Sequence, residues 1–364
     1  MAGATGKNYQ SRSVTREKFD EYLECARKSG RLLLPSERDL TRELRCGRGN
    51  VREVLAEKER LGEIIKKGRG RALSLSKIRG GKTVGSFSFV AGGEGIIANN
   101  AWAKLWARFH PLAEAAGMRG ELVLSGSRDD SDKNLEKIAA GPEVVVFANY
   151  SGLEMSRRVL ALPGRHFILL DEQFAGSGDD LVTIDNYEAG RLAAGQLRLH
   201  GYRKPALICQ DMLLEGALYK MYARRVEGFR NGCRECGLDF GTASELWFKS
   251  ESKLQSVVRV IRIATKLRDF GFDAAFLHTD DLAPYLYQAL IDGGVKIPQD
   301  MGLVTVNSFN DALNHHPQIS SVSHATAGVA SRLVNELKKV FLSGDYRIGH
   351  VFVKPSFHEG ETLL

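Results

Sequence analysis

Residues 34–55 read LPSERDLTRELRCGRGNVREVL. Ser36 stands before Glu37-Arg38-Asp39, so its hydroxyl is placed to cap a helix, with Asp39 in the reciprocal position of a capping box. Leu40 and Leu44 supply the buried side of that helix, and Arg45-Cys46-Gly47 breaks it. A further helix is predicted over Arg48–Leu61, with Val51, Val54, Leu55 and Lys58 at helical spacing and Gly62 as its stop. Upstream, over 15–29, Phe19, Tyr22, Leu23 and Ala26 fall at i, i+3, i+4 and i+7, and Gly30 follows as a C-terminal cap. Downstream, Glu63–Lys67 and Arg71–Leu75 read as two short strands around the basic turn Gly68-Arg69-Gly70.

Helix, helix, turn, helix and hairpin is the layout of a winged helix-turn-helix. The arginines favour a nucleic-acid role over a purely structural one. Arg38 opens the second helix, Arg48 and Arg52 share one face of the third, and Arg69 sits at the hairpin tip. The planar fork of arginine binds guanine edges or phosphates in pairs. Charge is distributed accordingly. Residues 1–82 hold 21 basic and 11 acidic side chains, net +10, whereas the remainder is net −3, for +7 overall. Charge alone leaves two readings open, a phosphate-binding surface and a solvated basic face.

From Val84 the pattern changes. Short apolar runs recur at 84–90 (VGSFSFV), 121–125, 143–148 (EVVVFA), 166–171 (HFILLD), 205–210, 273–278 (DAAFLH) and 302–307. Between them lie helix-like stretches such as 98–116, 131–140, 186–201, 222–237, 252–270 and 281–294. Alternating strands and helices imply an α/β fold with doubly wound parallel sheets, and the length suits two lobes. The expected organisation is a disordered stretch 1–11, a winged helix over 12–76, a linker over 77–83 containing Gly80-Gly81, and a two-lobed ligand-binding and dimerisation domain over 84–364. Ligands of doubly wound sheets bind outside the carboxyl ends of strands. Phe89, Ser125, Tyr150, Asp171, Phe174 and Tyr222 lie near such ends and are candidate cleft residues. Trp102 and Trp106, four apart on one helix, fit either a dimer face or core packing.

Other chemistries find less support. The five cysteines are scattered, and Cys233-x-x-Cys236 has no second ligand pair for zinc, so no metal and no cofactor are expected. No G-x-S-x-G, H-E-x-x-H or P-loop pattern occurs. Consecutive His315 and His316 would point apart on a strand, and Asp129-Asp130 and Asp280-Asp281 read as loop or helix-start acids. A non-enzyme is therefore expected, with a metabolite-processing enzyme and a regulator lacking any ligand as alternatives. No apolar run is long enough to span a bilayer and the first residues lack a signal-peptide core, so a cytoplasmic location and no membrane partner are expected.

Two family resemblances attach to these motifs. The run from Leu34 to Ser74 resembles the GntR-type winged helix, whose pattern is LPSERELA, SRxTVREAL and a G-R-G wing. The resemblance implies that Arg38, Arg48, Asn50 and Arg52 meet double-stranded operator DNA and that Gly68, Arg69 and Gly70 approach its minor groove. Gly47 stands where the family usually has Ser, and Gly49 and Asn50 where it has small hydroxyl residues, which implies an altered operator preference. Residues 84–358 resemble the ligand domain of lactose-repressor-type regulators, itself similar to periplasmic sugar-binding proteins. The likeness is carried by Val182–Gly190 (V-x-x-DN-x-x-AG), Gly201–Ile208, Arg225–Phe229 (R-x-x-GF), Asp273–Ala283, Val295–Asp300 (V-x-x-PxD) and Pro317–Val322, in the family's order. It implies that Arg225 hydrogen-bonds the effector; the other reading is a surface arginine on a helix, and adjacent Arg224 is equally able to be the solvated one. It also implies that Thr279 and Asp280 stand in an effector-binding NDD run, and that Asn307 stands where an Asp often accepts sugar hydroxyls. Together the resemblances imply a homodimeric repressor that reads a two-fold-related operator and is released by a small, sugar-like effector.

Overall fold

The computed structural model describes residues 12–28, 33–60, 64–67, 70–73, 84–92, 101–125, 131–149, 153–211, 213–214, 217–249, 253–307, 311–344 and 346–364. They form two compact units. One is Met1–Ser86 with His110–Gly120 and Phe341–Ser343; the other is Phe87–Phe109, Glu121–Val340 and Gly344–Leu364.

In the first unit, helices α1 (Arg12–Lys28), α2 (Glu37–Leu44) and α3 (Arg48–Arg60) accompany a three-stranded antiparallel sheet. Its strands are β1 (Leu33–Leu34), β2 (Ile64–Lys67) and β3 (Gly70–Leu73), in the order β1-β3-β2. The short strand β1 was not expected; it pairs Leu33 with Ala72 and Leu34 with Arg71. Phe19, Leu23 and Ala26 of α1 meet Leu40, Leu44, Val51, Val54, Leu55 and Ile64 in one buried cluster. Ser36 caps α2 by accepting from the Asp39 amide at 3.3 Å. The Asp39 carboxylate accepts the Ser36 hydroxyl at 2.6 Å instead of reaching the Ser36 amide as a capping box requires, since Asp is one methylene shorter than Glu. Arg45, left-handed at φ 53°, ends the helix. Lys58 is buried in α3, as its place in the stripe implied, and its ammonium pairs with Asp20 on α1.

The remaining elements build two six-stranded sheets. The first contains β4 (Gly85–Gly92), β5 (Met118–Ser125), β6 (Val144–Phe147), β7 (His166–Leu169), β8 (Asp180–Ile184) and β16 (His350–Val353), ordered β16-β8-β7-β6-β4-β5. Its helices are α4 (Ala101–Ala115), α5 (Ser131–Ala140) and α6 (Leu153–Leu160). Parallel pairing joins β4 to β6, β6 to β7, β7 to β8 and β8 to β16. Val90, Val123, Val145, Phe147, Val159 and Leu169 fill one of its cores.

The second sheet contains β9 (Pro205–Asp211), β12 (Glu245–Lys249), β13 (Ala274–Leu277), β14 (Gly302–Asn307), β15 (Ser320–Ser323) and β17 (Phe357–His358). Their order is β12-β9-β13-β14-β15-β17, with only β17 antiparallel. A small hairpin of β10 (Leu213–Leu214) and β11 (Ala217–Leu218) follows β9. Helices α7 (Asn186–Leu199) and α8 (Lys220–Glu235) cover one face. Helices α9 (Lys253–Asp269), α10 (Ala283–Asp292) and α11 (Asp311–Asn314) cover the other. Helix α12 (Thr326–Ser343) leads to β16. The chain thus passes between the two sheets after β8, after β15 and after β16, which defines two lobes.

Helices α7 and α8 approach unusually closely. A Cβ at Gly228 would lie 1.9 Å from the Tyr187 carbonyl oxygen, and one at Gly190 would lie 2.0 Å from the Arg225 carbonyl oxygen. Only glycine allows backbones to come so near. The glycines of the two family-like motifs therefore set the distance between Asn186 and Arg225.

Candidate functional site

Arg225 projects from α8 and is fully buried, although it is among the largest side chains in the lobe. Its Nε donates to Asn186 Oδ1 at 2.9 Å, and its Nη1 donates to the His278 carbonyl at 2.8 Å. Its Nη2 is buried with no hydrogen-bond partner. Burial lowers its pKa by disfavouring the charge. Asn186 is the first residue of α7, and the Asp185 carboxylate caps that helix by accepting the Glu188 amide at 3.0 Å. The Asn186 amide also donates to Glu172 Oε1 at 2.9 Å, so it bridges the first lobe to Arg225.

His278 and Thr279 follow the carboxyl end of β13, where ligands of parallel sheets bind. His278 Nε2 accepts the Gln210 amide at 2.9 Å, which assigns the ring proton to Nδ1. Nδ1 and the Thr279 hydroxyl are both buried without partners. Burial and the nearby Arg225 push the His278 pKa down to about 3, so the ring is neutral. The Tyr222 ring lies 4.6 Å from His278 and 5.5 Å from the Arg225 guanidinium.

From the first lobe, Asp171 and Glu172 follow β7. Asp171 is buried and accepts from the Tyr219 hydroxyl and, at 2.9 Å, from the Gln173 amide. Desolvation raises its pKa to about 6 against these hydrogen bonds. Glu172 pairs with Arg224 at 3.2 Å, and its pKa is raised by burial. The segment 171–175 also receives the Lys220 amide on Gln173 (2.9 Å) and the Lys220 ammonium on the Ala175 carbonyl (3.1 Å). These contacts clasp the first lobe to the start of α8. Beside the clasp lies a depression of about 290 Å³, lined among others by Glu172, Lys220, Arg224, His350 and Phe352. Arg224 is the more exposed of the two neighbouring arginines, at 40%, and Glu172 and the Phe352 ring, 5.4 Å away, hold it.

The structure thus brings together Asp171, Tyr222, Arg225 and Thr279 of the sequence candidates. Asp280 is buried behind them, its carboxylate accepting the Ala312 amide at 3.4 Å. Phe89 is placed differently from the expectation, because its fully buried ring packs on Trp106 (5.2 Å) and Phe109 (6.0 Å) in the first lobe's aromatic core. Those contacts also make Trp106 a packing residue. Phe174 turns edge-on to Phe147 at 5.4 Å and belongs to the same lobe's core. Tyr150 and the side chains of Ser125 and Asn307 lie outside the described residues. Sequence reasoning missed Glu172, Asn186, Tyr219 and His278. Asn186 and His278 lie inside the quoted motifs Val182–Gly190 and Asp273–Ala283, but only the fold shows which neighbours need them.

In the N-terminal unit, Arg48 and Arg52 lie side by side on the exposed face of α3, 67% and 63% exposed. Glu37 Oε1 accepts from Arg48 Nε (3.1 Å) and from Arg52 Nε and Nη2 (3.1 and 2.9 Å). Both arginines therefore project from a common anchor, and they hold the Glu37 carboxyl below its usual range. Arg38 and Asn50 lie on α2 and α3, exposed and part-exposed respectively. Gly49 has open space around it, so no packing demands a glycine there. Gly70 opens β3; Gly68 and Arg69 lie outside the described residues.

Residues 194–363 match the family model for the periplasmic binding protein-like domain. Catabolite control protein A of Streptococcus mutans serotype c is 25% identical over 232 residues, covering 60% of this chain and 64% of that protein. The chain therefore spans somewhat less than two thirds of that relative. The HTH-type transcriptional regulator GntR of Pseudomonas aeruginosa is 23% identical over 261 residues, 69% of this chain and 71% of that protein. Among solved structures, the transcription regulator CcpA of Lactococcus lactis superposes with a TM-score of 0.61 at 18% identity, over 77% of this chain and 99% of that one. The CelR–cellobiose complex, a transcriptional regulator, superposes at 0.62 and 15% identity, over 90% of this chain and 100% of that one. At these identities the structures establish the shared two-lobed α/β fold.

Proposed function

We propose that the chain is a ligand-responsive DNA-binding transcription regulator, a repressor whose operator binding is set by a small sugar-like effector in the cleft around Arg225. The observation that carries this reading is the built receptor itself: a buried guanidinium at strand carboxyl ends, gripped on two sides and unmatched on a third. One sequence relative above is named a transcriptional regulator, and one similar structure is a transcriptional regulator in complex with cellobiose, which supports assigning the cleft to binding rather than catalysis.

The N-terminal unit is proposed as a GntR-type reader that places α3 in the major groove, with Arg48, Arg52, Arg38 and Asn50 at the DNA and Gly68-Arg69-Gly70 as its wing. The linker over 77–83 would join it to the ligand-binding domain over 84–364. Two copies are proposed to pair and read two half-sites. The exposed stripe Leu254, Val258 and Ile261 along α9 is an apolar surface suited to such pairing. A cytoplasmic location follows from the proposed target. Among the described residues no helix is long and apolar enough to cross a membrane.

The test is selection of bound duplexes from a random library with the full chain. A two-fold-related sequence is expected to enrich, and an Arg48→Ala, Arg52→Ala double variant should lose the enrichment. Enrichment unchanged in the double variant would contradict the assignment of α3.

A further inference from the structure

The chemistry around Arg225 narrows the kind of molecule the cleft takes; this inference rests on the effector reading above. Arg225 is a fully buried cation whose described hydrogen-bond partners are both neutral, an amide oxygen and a backbone carbonyl. A buried charge is costly unless an opposite charge meets it. Three carboxylates act on the guanidinium through space, namely Asp280, Glu172 and Asp171. Each is engaged elsewhere. Asp171 is held by Tyr219 and Gln173, Glu172 by Asn186 and Arg224, and Asp280 accepts the Ala312 amide. Among the described residues, none of them is in ion-pair contact with Arg225.

Three of the buried polar atoms beside Arg225 that lack hydrogen bonds can donate, while the buried Asp281 Oδ1, which acts on Tyr222, is an acceptor. Arg225 Nη2 can only donate. His278 Nδ1 carries the ring proton, because Nε2 is spent accepting from Gln210, so it too can only donate. The Thr279 hydroxyl, next in the chain, can donate as well. One hydrogen bond, from Nη1 to the His278 carbonyl, ties the guanidinium to this segment. His324, just beyond β15, feels both Arg225 and Lys104, and burial with these two cations pushes its pKa down to about 3. It adds a neutral ring and no negative charge.

We propose that the effector presents a carboxylate to Arg225, His278 and Thr279, and is therefore a sugar acid rather than a neutral sugar. A carboxylate has two oxygens and about four acceptor positions, enough to receive all three donors, and its single charge matches the single guanidinium. A phosphate dianion would bring a second charge for which the trio has no cation. The hydroxyls of the acid's carbon chain would face the Tyr222 side of the cleft, where the Tyr222 ring lies tilted against His278 at 4.6 Å.

The experiment is calorimetric titration and thermal shift of the full chain with D-gluconate, D-glucuronate and D-galacturonate. The controls are D-glucose, D-galactose and D-glucose 6-phosphate. At least one acid is expected to raise the melting temperature and to bind at least about tenfold tighter than its neutral counterpart, the step typical of a charge-assisted hydrogen bond. Arg225→Gln should remove that preference, leaving acid and neutral sugar within about threefold of each other. If that variant does not fold, Thr279→Val keeps the volume, removes one donor, and should weaken the acid several-fold more than the neutral sugar. Equal or tighter binding of the neutral sugars overturns the carboxylate while the effector reading stands. Binding of the phosphate alone overturns it in favour of a dianion. No stabilisation by any member overturns both the carboxylate and the sugar-like effector.

Discussion

Gly228→Ala tests how the fold sets the site. The added Cβ would sit 1.9 Å from the Tyr187 carbonyl oxygen and 2.8 Å from its carbon. Ordinary contacts begin near 3.5 Å, so α8 must retreat from α7 by about 1.5 Å. The Asn186–Arg225 hydrogen bond, 2.9 Å at present, spans the same two helices and would be stretched beyond bonding distance. Overpacking costs about 1–3 kcal/mol, and loss of a hydrogen bond to a buried charged group adds about 1.5–3 kcal/mol. Replacing a mid-helix glycine by alanine returns about 0.5–1 kcal/mol. The net loss is about 1.5–5.5 kcal/mol, or roughly 3–22 °C in melting temperature for a domain of this size.

Thermal and urea unfolding by circular dichroism measure this directly. Gly195→Ala is the internal control, since nothing lies within 4 Å of its Cβ on α7. It should gain about 0.5–1 kcal/mol from helix propensity alone. If Gly228→Ala and Gly195→Ala behave alike, the close approach of α7 and α8 is not what positions Arg225, and the reasoning fails.

Three further outcomes are expected. Asp171, with its pKa raised to about 6, is protonated in the folded chain where the unfolded chain is already ionised, so its contribution is full below about pH 4 and is lost as pH rises through 6. Asp171→Asn should flatten that slope and gain stability on the order of 2–3 kcal/mol at pH 8; a slope unchanged in chemical denaturation across pH 4–8 would contradict the assignment. Arg48→Ala or Arg52→Ala should each weaken specific duplex binding by about 1–3 kcal/mol, read by fluorescence anisotropy. Because both guanidinia are exposed, stability should move by less than about 1 kcal/mol. Glu37→Gln, which releases both arginines from their shared carboxylate, should tighten binding to unrelated duplexes while shrinking the ratio of specific to non-specific affinity. An unchanged ratio would mean that Glu37 does not orient them.

Much of the architecture is legible in the residues. Apolar runs such as Val144–Phe147 are strands buried on both faces, and the stripe over Val51, Val54 and Leu55 is a helix face. Elements that escaped the reading lack those signals. Strand β15 is Ser-Ser-Val-Ser, polar yet buried, and β16 alternates half-buried with exposed residues at its sheet edge. Edge strand β12 turns Trp247 outward at 41% exposure. Helix α12 is long and amphipathic, but its N-cap is Ala325 in a left-handed conformation, which no capping pattern announces. The site is less legible because its contacts join distant positions. Asn186 and Arg225 are 39 residues apart, Asp171 and Tyr219 are 48 apart, and Arg225 and His278 are 53 apart. Which of Arg224 and Arg225 would be buried is decided by helical phase against α7, a tertiary property.

The central claim is that ligand binding in the cleft and DNA binding by α3 are coupled. The direct measurement is the affinity of the full chain for its selected duplex, by fluorescence anisotropy at fixed salt, with and without a saturating cleft ligand. A coupling of about 1–3 kcal/mol, a change of roughly 5- to 150-fold, is expected. By reciprocity, the duplex should change the affinity for the ligand by the same factor. Identical duplex affinity with the cleft empty and filled would contradict the account.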